Sequence, residues 1–190
     1  MELPPTAAWR HLDVRVGFEV LFLRQAADGY HLDGHSTAVE DGEAWSNSYS
    51  VSLDPSWTTR SAHVVGRSAL GARDVRLEAD GIGGWRVDGF IAPQLAGCLD
   101  VDLEASACTN ALPVRRLGLE VGERADAPAA YVRAVGLGVE RLEQSYVRLE
   151  NDAERARYDY ESPEFDFSAV LVYDEHGLVL DYPGIAVRVA

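Results

Sequence analysis

The sequence predicts a mainly β protein: a strongly curved antiparallel sheet or incomplete barrel of about ten to twelve strands, with little helix. Three observations predict it. Many short runs alternate apolar and polar residues with period two, as a half-buried strand does. Seventeen glycines and eight prolines are spread along 190 residues and cut the chain into short units. The residues inside those units are rich in β-branched and aromatic types. So many antiparallel strands cannot stay flat in one open sheet, and they must curl, split or close.

Taken in order, Val16 to Leu23 is apolar except for Gly17 and Glu19, and Val16, Phe18, Val20 and Phe22 share one strand face. Asp28-Gly29 reads as a hairpin turn before Tyr30 to Glu40. Asn47, Tyr49, Val51 and Leu53 alternate with Ser46, Ser48, Ser50 and Ser52, a pattern poor for helix and good for strand. Asp54-Pro55 breaks it, and Trp57 to Val65 is the next strand candidate. Val75, Leu77 and Ala79 alternate with Arg76, Glu78 and Asp80, and the chain turns through Asp80 to Gly84. Leu99, Val101 and Leu103 face away from Asp100 and Asp102. Leu112 to Leu119, with Pro113 inside it, reads as strand or irregular, and Ala130 to Val135 as strand. Val139 to Leu149 fits either a helix or a strand. Phe165, Phe167, Ala169, Leu171 and Tyr173 line one strand face. A turn at Glu175-His176-Gly177 leads to Leu178 to Tyr182, and Gly184 to Val189 is the last short strand. A short helix plugging the curved sheet is expected at Pro93 to Ala96 or between Leu142 and Leu149.

The length suits one domain spanning residues 1–190. Seventeen basic against 31 acidic residues leave a net charge of -14. That balance argues against nucleic acid or an anionic membrane as the main partner, since both require a cationic face. Cys98 and Cys108 have neither the number nor the spacing of a zinc site or a disulfide scaffold, and read as reduced thiols. Met1 to Pro5 lacks the pattern of an export signal, and no run reaches eighteen apolar residues. The expectation is a cytoplasmic protein without a membrane span. His11, His31, His35, His63 and His176 are scattered, so no metal and no cofactor is expected. Gly81 to Gly84 is followed by a strand-like run and reads as a turn, not a dinucleotide loop.

The most unusual segment is Gly97 to Leu119. It sets Asp100 and Asp102 on one face of an aliphatic strand, then presents Thr109, Asn110 and the basic pair Arg115-Arg116. Buried carboxylates need partners, and the planar fork of arginine holds a carboxylate with two bonds. At least one direct carboxylate–guanidinium pair is therefore expected here. The same acids could instead serve as a general acid and base poised by mutual repulsion, or as part of a head-group site.

This segment resembles the putative glycolipid-binding family of bacterial proteins. Trp9-Arg10, Asp54 with Trp57 to Arg60, and Gly84-Trp85 are similar to its upstream pattern. Ala130 to Arg133, Gln144 with Tyr146 and Arg148-Leu149, Tyr158 to Ser162, and Gly177 to Gly184 are similar to its later blocks. Cys108 and Ala111 are mild departures from it. The resemblance implies a curved antiparallel sheet, similar to that of periplasmic lipoprotein carriers, and a small amphipathic ligand such as a glycolipid. The residues expected to line its site are Asp100, Asp102, Thr109, Asn110, Arg115, Arg116, Tyr131, Tyr146, Tyr158 and Tyr160. Tyrosines combine an apolar ring with a polar tip, which suits an amphiphile. A binding module predicts a cavity of roughly 300–1,000 Å³ on the concave side. An enzyme acting on a sugar or lipid derivative predicts an acid open to that cavity, with a raised pKa and a second reactive group nearby. A purely structural or protein-binding role predicts a filled core.

Overall fold

The computed structural model describes residues 3–190; Met1 and Glu2, the start of the amino-terminal stretch read above, lie outside them. Strands β1 (Thr6–His11), β2 (Val16–Ala26), β3 (Gly29–Glu40), β4 (Glu43–Leu53), β5 (Thr59–Ser68), β6 (Gly71–Ala79), β7 (Trp85–Val87) and β8 (Phe90–Ile91) form an unbroken antiparallel meander. An inner segment follows: β9 (Asp100–Leu103), helix α1 (Ala111–Leu117), β10 (Arg124–Asp126), β11 (Ala129–Val132) and β12 (Val139–Leu142). A second meander, β13 (Ser145–Asp152), β14 (Arg155–Ser162), β15 (Phe167–Tyr173), β16 (Val179–Tyr182) and β17 (Ala186–Arg188), completes the chain.

The large sheet has fourteen strands, in the order β10-β13-β14-β15-β16-β17-β1-β2-β3-β4-β5-β6-β7-β8. Its end strands β10 and β8 do not pair with each other, so the barrel is incomplete. The expected count of ten to twelve strands is too low for this sheet alone, and a second sheet, β12-β11-β9, lies inside it. In it β9 and β11 run parallel, with Asp100 opposite Ala129 and Asp102 opposite Tyr131. A parallel pair needs a long crossover, and residues 104–128 supply one that contains α1.

The inner segment fills the concave side. Every residue of β9 and β11 is buried. Inward side chains of the outer wall hold it: Ser36 donates to the Ala105 carbonyl, Asn47 to the Ala134 carbonyl (3.0 Å) and the Trp85 indole to the Cys98 carbonyl (2.8 Å). The plug is α1, not Pro93 to Ala96 (a single 3-10 turn) and not the 142–149 stretch, which belongs to strands β12 and β13. Leu112 to Leu117 is helical, against the expectation of strand or irregular chain. Pro113 falls in the first turn, where its missing N–H has no helical partner to lose, and Gly118 closes the helix in a left-handed conformation (φ 56°).

The two faces of β2 divide sharply. Leu21 and Leu23 face the core, whereas Val16, Phe18, Val20 and Phe22 form an exposed apolar row on the convex side. Glu19 shares the inward face with the leucines and is wholly buried.

Candidate functional site

Asp100 and Asp102 sit two residues apart on β9 and face the same side, yet their surroundings differ. Over Asp100 lies the last turn of α1. Arg116 grips its carboxylate with two bonds, Nε to Oδ1 at 3.0 Å and Nη2 to Oδ2 at 2.6 Å. This is the expected carboxylate–guanidinium pair. Burial pushes the Asp100 carboxyl up from its ordinary value, and the two guanidinium bonds oppose that rise.

Asp102 has no cation within ion-pair distance among the described residues. The Thr109 hydroxyl donates to its Oδ1 at 2.7 Å, and the Leu103 N–H donates to that same hydroxyl oxygen at 3.2 Å. The Ser106 carbonyl lies farther from this hydroxyl, at 3.3 Å, so the shorter contact directs the Thr109 hydrogen at Asp102. Burial pushes the Asp102 pKa up to about 6, against the opposing pull of the Thr109 bond, and nearby Asp100 adds to the rise.

A second buried acid ties the plug to the wall. Glu19 accepts hydrogen bonds from the Tyr49 hydroxyl (2.6 Å), the Ser106 hydroxyl and the Ala107 N–H (2.7 Å). The Tyr49 phenol reaches it only because residue 34 is glycine: a Cβ there would lie 2.1 Å from Tyr49 Cζ. Burial raises the Glu19 pKa, and its hydrogen-bond donors counter the rise.

Between β9, β11 and the second meander is a cavity of about 190 Å³. Asp102, Asn110 and Ser106 line it from the inner segment. One wall is aromatic: Tyr160, Phe167 and Tyr182, with ring centroids 5.9–6.1 Å apart. The facing wall is Tyr131 against Phe165, centroids 5.6 Å apart, with the Arg133 guanidinium 5.2 Å and 5.3 Å from the two rings. Arg15 closes one end from the loop before β2. It is only 7% exposed, donates Nη1 to the Glu104 carbonyl (3.0 Å), and its Nε lies 3.6 Å from Glu40 Oε2, an ion pair longer than a hydrogen bond. Glu104 lines both this cavity and an adjoining cleft bounded by Trp45 and Arg133.

Of the residues expected in the site, Asp102, Asn110, Tyr131 and Tyr160 line the cavity, and Thr109 stands directly behind Asp102. Asp100 and Arg116 are consumed by each other and lie outside the lining. Arg115 points elsewhere: its guanidinium stacks on Trp57 at 4.1 Å, and it makes no ion pair with either aspartate among the described residues. Consecutive helical residues project about 100° apart, so only one arginine can cover β9. Tyr146 is fully buried and donates to Asn110 Oδ1 at 2.9 Å, which makes it a support behind the lining. Tyr158 packs edge-on against Tyr146 and Tyr173 instead of opening on the cavity. The cavity is smaller than expected because α1 and the inner sheet occupy most of the concave space. Sequence reasoning missed Arg15, Glu19, Glu104 and Ser106. Glu19 carried a readable signal, a lone acid in phase with Leu21 and Leu23. Arg15 and Glu104, in connecting segments, carried none.

Cys98 and Cys108 are both free and buried, and burial pushes the Cys98 thiol up to about 11. No helix among the described residues is long and apolar enough to cross a membrane.

The fold and the site can be set beside known proteins. A DUF1089 family protein from Pseudomonas aeruginosa, known from its crystal structure, superposes with a TM-score of 0.79 at 38% identity, over 90% of this chain and 92% of that one. A β-barrel-like protein of the DUF1849 domain from Brucella abortus superposes with a TM-score of 0.54 at 12% identity, over 99% of this chain and 95% of that one, a likeness of fold alone. No curated protein matches. Residues 6–188 match the model of the family described as "Putative glycolipid-binding". With nearly the whole chain matched and a relative at 38% identity, the chain belongs to that family.

Proposed function

We propose that the cavity receives the polar head of a glycolipid or a similar amphiphile. One observation carries this reading: aromatic side chains of the inner segment and of the second meander line one space together with a buried carboxyl and a buried guanidinium. Aromatic faces suit the apolar side of a sugar ring, and the few convergent polar groups, Asp102, Asn110 and Arg15, suit its hydroxyls. The volume of about 190 Å³ falls below the usual range for a drug-sized ligand and suits a single ring, with the apolar tail left towards the mouth at Phe165. The family description supports the same class of ligand. Asp100, Arg116, Thr109 and Tyr146 hold the lining in place in this reading. Tyr158 and Arg115 play no direct part.

Isothermal titration with octyl β-glucoside, kept below its micelle concentration, tests the proposal. One-to-one binding is expected. Replacing both Tyr131 and Phe165 with alanine should weaken it at least about tenfold, because one aromatic wall is lost. Equal affinity in that variant, or no binding by the wild type, would overturn the reading.

A further inference from the structure

We propose that Asp102 and Glu104 form an acid–base pair that hydrolyses a glycosidic bond of a ligand held in the cavity; this rests on the head-group reading above. The geometry separates the pair from its neighbour Asp100. Asp100 spends both oxygens on Arg116, whereas Asp102 and Glu104 both line the cavity. Glu104 follows β9 directly, in the turn that leaves it, and its side chain shares the cavity lining with that of Asp102. Two carboxyls flanking one bond are what glycoside hydrolysis requires.

Their environments assign the roles. The Thr109 hydrogen occupies Oδ1 of Asp102, so the carboxyl proton is carried on Oδ2. Desolvation, with no cation to relieve it, raises the Asp102 pKa to about 6, so the proton is held in mildly acid solution and a minor share of it persists at neutral pH. Glu104 is the base. Its Oε2 accepts the Ala134 N–H at 2.7 Å, and its Oε1 lies 3.8 Å from an Arg133 nitrogen. Arg15 fixes the Glu104 backbone from the other side. Glu104 also borders the adjoining cleft, which gives water a path to it.

The step balances without an oxidant or a cofactor. Asp102 donates its proton to the glycosidic oxygen as the bond from the anomeric carbon breaks. The Glu104 carboxylate takes a proton from a water molecule as its oxygen bonds that carbon. A reducing sugar and an alcohol leave, and solvent returns the proton from Glu104 to Asp102. Thr109 is a positioning residue that aims the Asp102 proton. The groups around Asp102 are Asp100 and Glu104 along its own chain, the phenols of Tyr131, Tyr146, Tyr160, Tyr173 and Tyr182, and Arg15 from the loop before β2. The phenols are all held well above neutral pH by burial, which leaves them out of the Asp102 titration.

The test uses the full chain with octyl glycosides of glucose, galactose and mannose in both anomeric forms. Binding is followed by titration calorimetry, and released octanol and sugar by mass spectrometry. Catalytic release from at least one glycoside is expected, with inversion at the anomeric carbon seen by NMR. Asp102→Asn and Glu104→Gln should each cut the rate at saturating glycoside at least about 100-fold. The wild-type rate should fall as pH rises through the Asp102 titration, a readout that needs no variant. In Thr109→Val, which loses a bond favouring the charged acid, that fall should move to higher pH; a merely structural role would lower the rate without moving it. Binding without turnover across the panel would overturn this inference and leave the head-group reading standing. Absence of both would overturn both. Turnover that survives Asp102→Asn, or retention of configuration, would also overturn it.

Discussion

Asp100 and Asp102 are the same residue type on the same face of the same strand, both buried, and they meet opposite fates. One is closed by the fork of Arg116 at 2.6 Å and 3.0 Å; the other receives a single hydroxyl and opens on a cavity. The difference lies wholly in what the crossover brings over each position. Helix α1 ends above Asp100, whereas the turn that begins α1 sets Thr109 beside Asp102. A buried carboxyl with a matched cation is a brace. The same carboxyl without one holds its proton to higher pH than an ordinary aspartate and remains available to a ligand.

The contrast can be broken most severely from the Arg116 side. Arg116→Met should destabilise the protein by roughly 3–5 kcal/mol in urea unfolding at neutral pH, because it leaves an uncompensated buried acid. Arg115→Met, which removes a stacked cation and no pair, is the control and should cost clearly less.

Asp102→Asn sharpens the contrast through its pH dependence. The folded pKa of Asp102, about 6, lies above its ordinary value of 3.8. Below both values the acid is protonated in both states and contributes no penalty. Between them the unfolded chain ionises first, so stability is lost as pH rises, and above the folded pKa the loss is complete. Unfolding wild type and variant at about pH 4 and about pH 7 should therefore show the variant gaining roughly 3 kcal/mol relative to wild type across that interval. An unchanged difference would mean that Asp102 is ionised in the folded protein at both pH values.

Thr109→Val should have the smallest effect, about 1–3 kcal/mol in the same assay, since it strips one bond from Asp102 and one acceptor from the Leu103 N–H.

Much of this architecture was legible in the sequence. The serine ladder of Ser46 to Ser52 does lie on one strand face opposite Asn47, Tyr49, Val51 and Leu53, and the row from Phe167 to Tyr173 does turn inward at Leu171 and Tyr173. Period two finds strands and their faces, and cannot say which face is inside. That is why Phe18 and Phe22 form an apolar row on the convex side, while Glu19 is the residue admitted to the core. The inner sheet was hidden for a different reason. Its strands have four residues each, too few for alternation to register, and one pairs in parallel. Helix α1 has seven residues and Pro113 in its first turn, so composition argued against it. Of the site, the block holding Asp102, Thr109 and Asn110 stood out as chemistry in an aliphatic setting. The tyrosines could not be divided into lining and support, since Tyr160 and Tyr158 occupy the same inward face of β14 and differ only in what packs over them.

The junction between β1 and β17 has a consequence for how the chain reaches this state. These two strands, from opposite ends of the described chain, meet in the middle of the large sheet through three paired positions: Trp9 with Arg188, Arg10 with Val187 and His11 with Ala186. The Trp9 indole adds a bond to the Val179 carbonyl at 2.7 Å, across 170 residues. The first meander can zip from its local hairpins while the ribosome is still at work, but its inner strand edge at β1 stays open until the last strands emerge. Closing this seam is thus the slow, late event expected of distant partners, and it joins two separately nucleated halves around the plug.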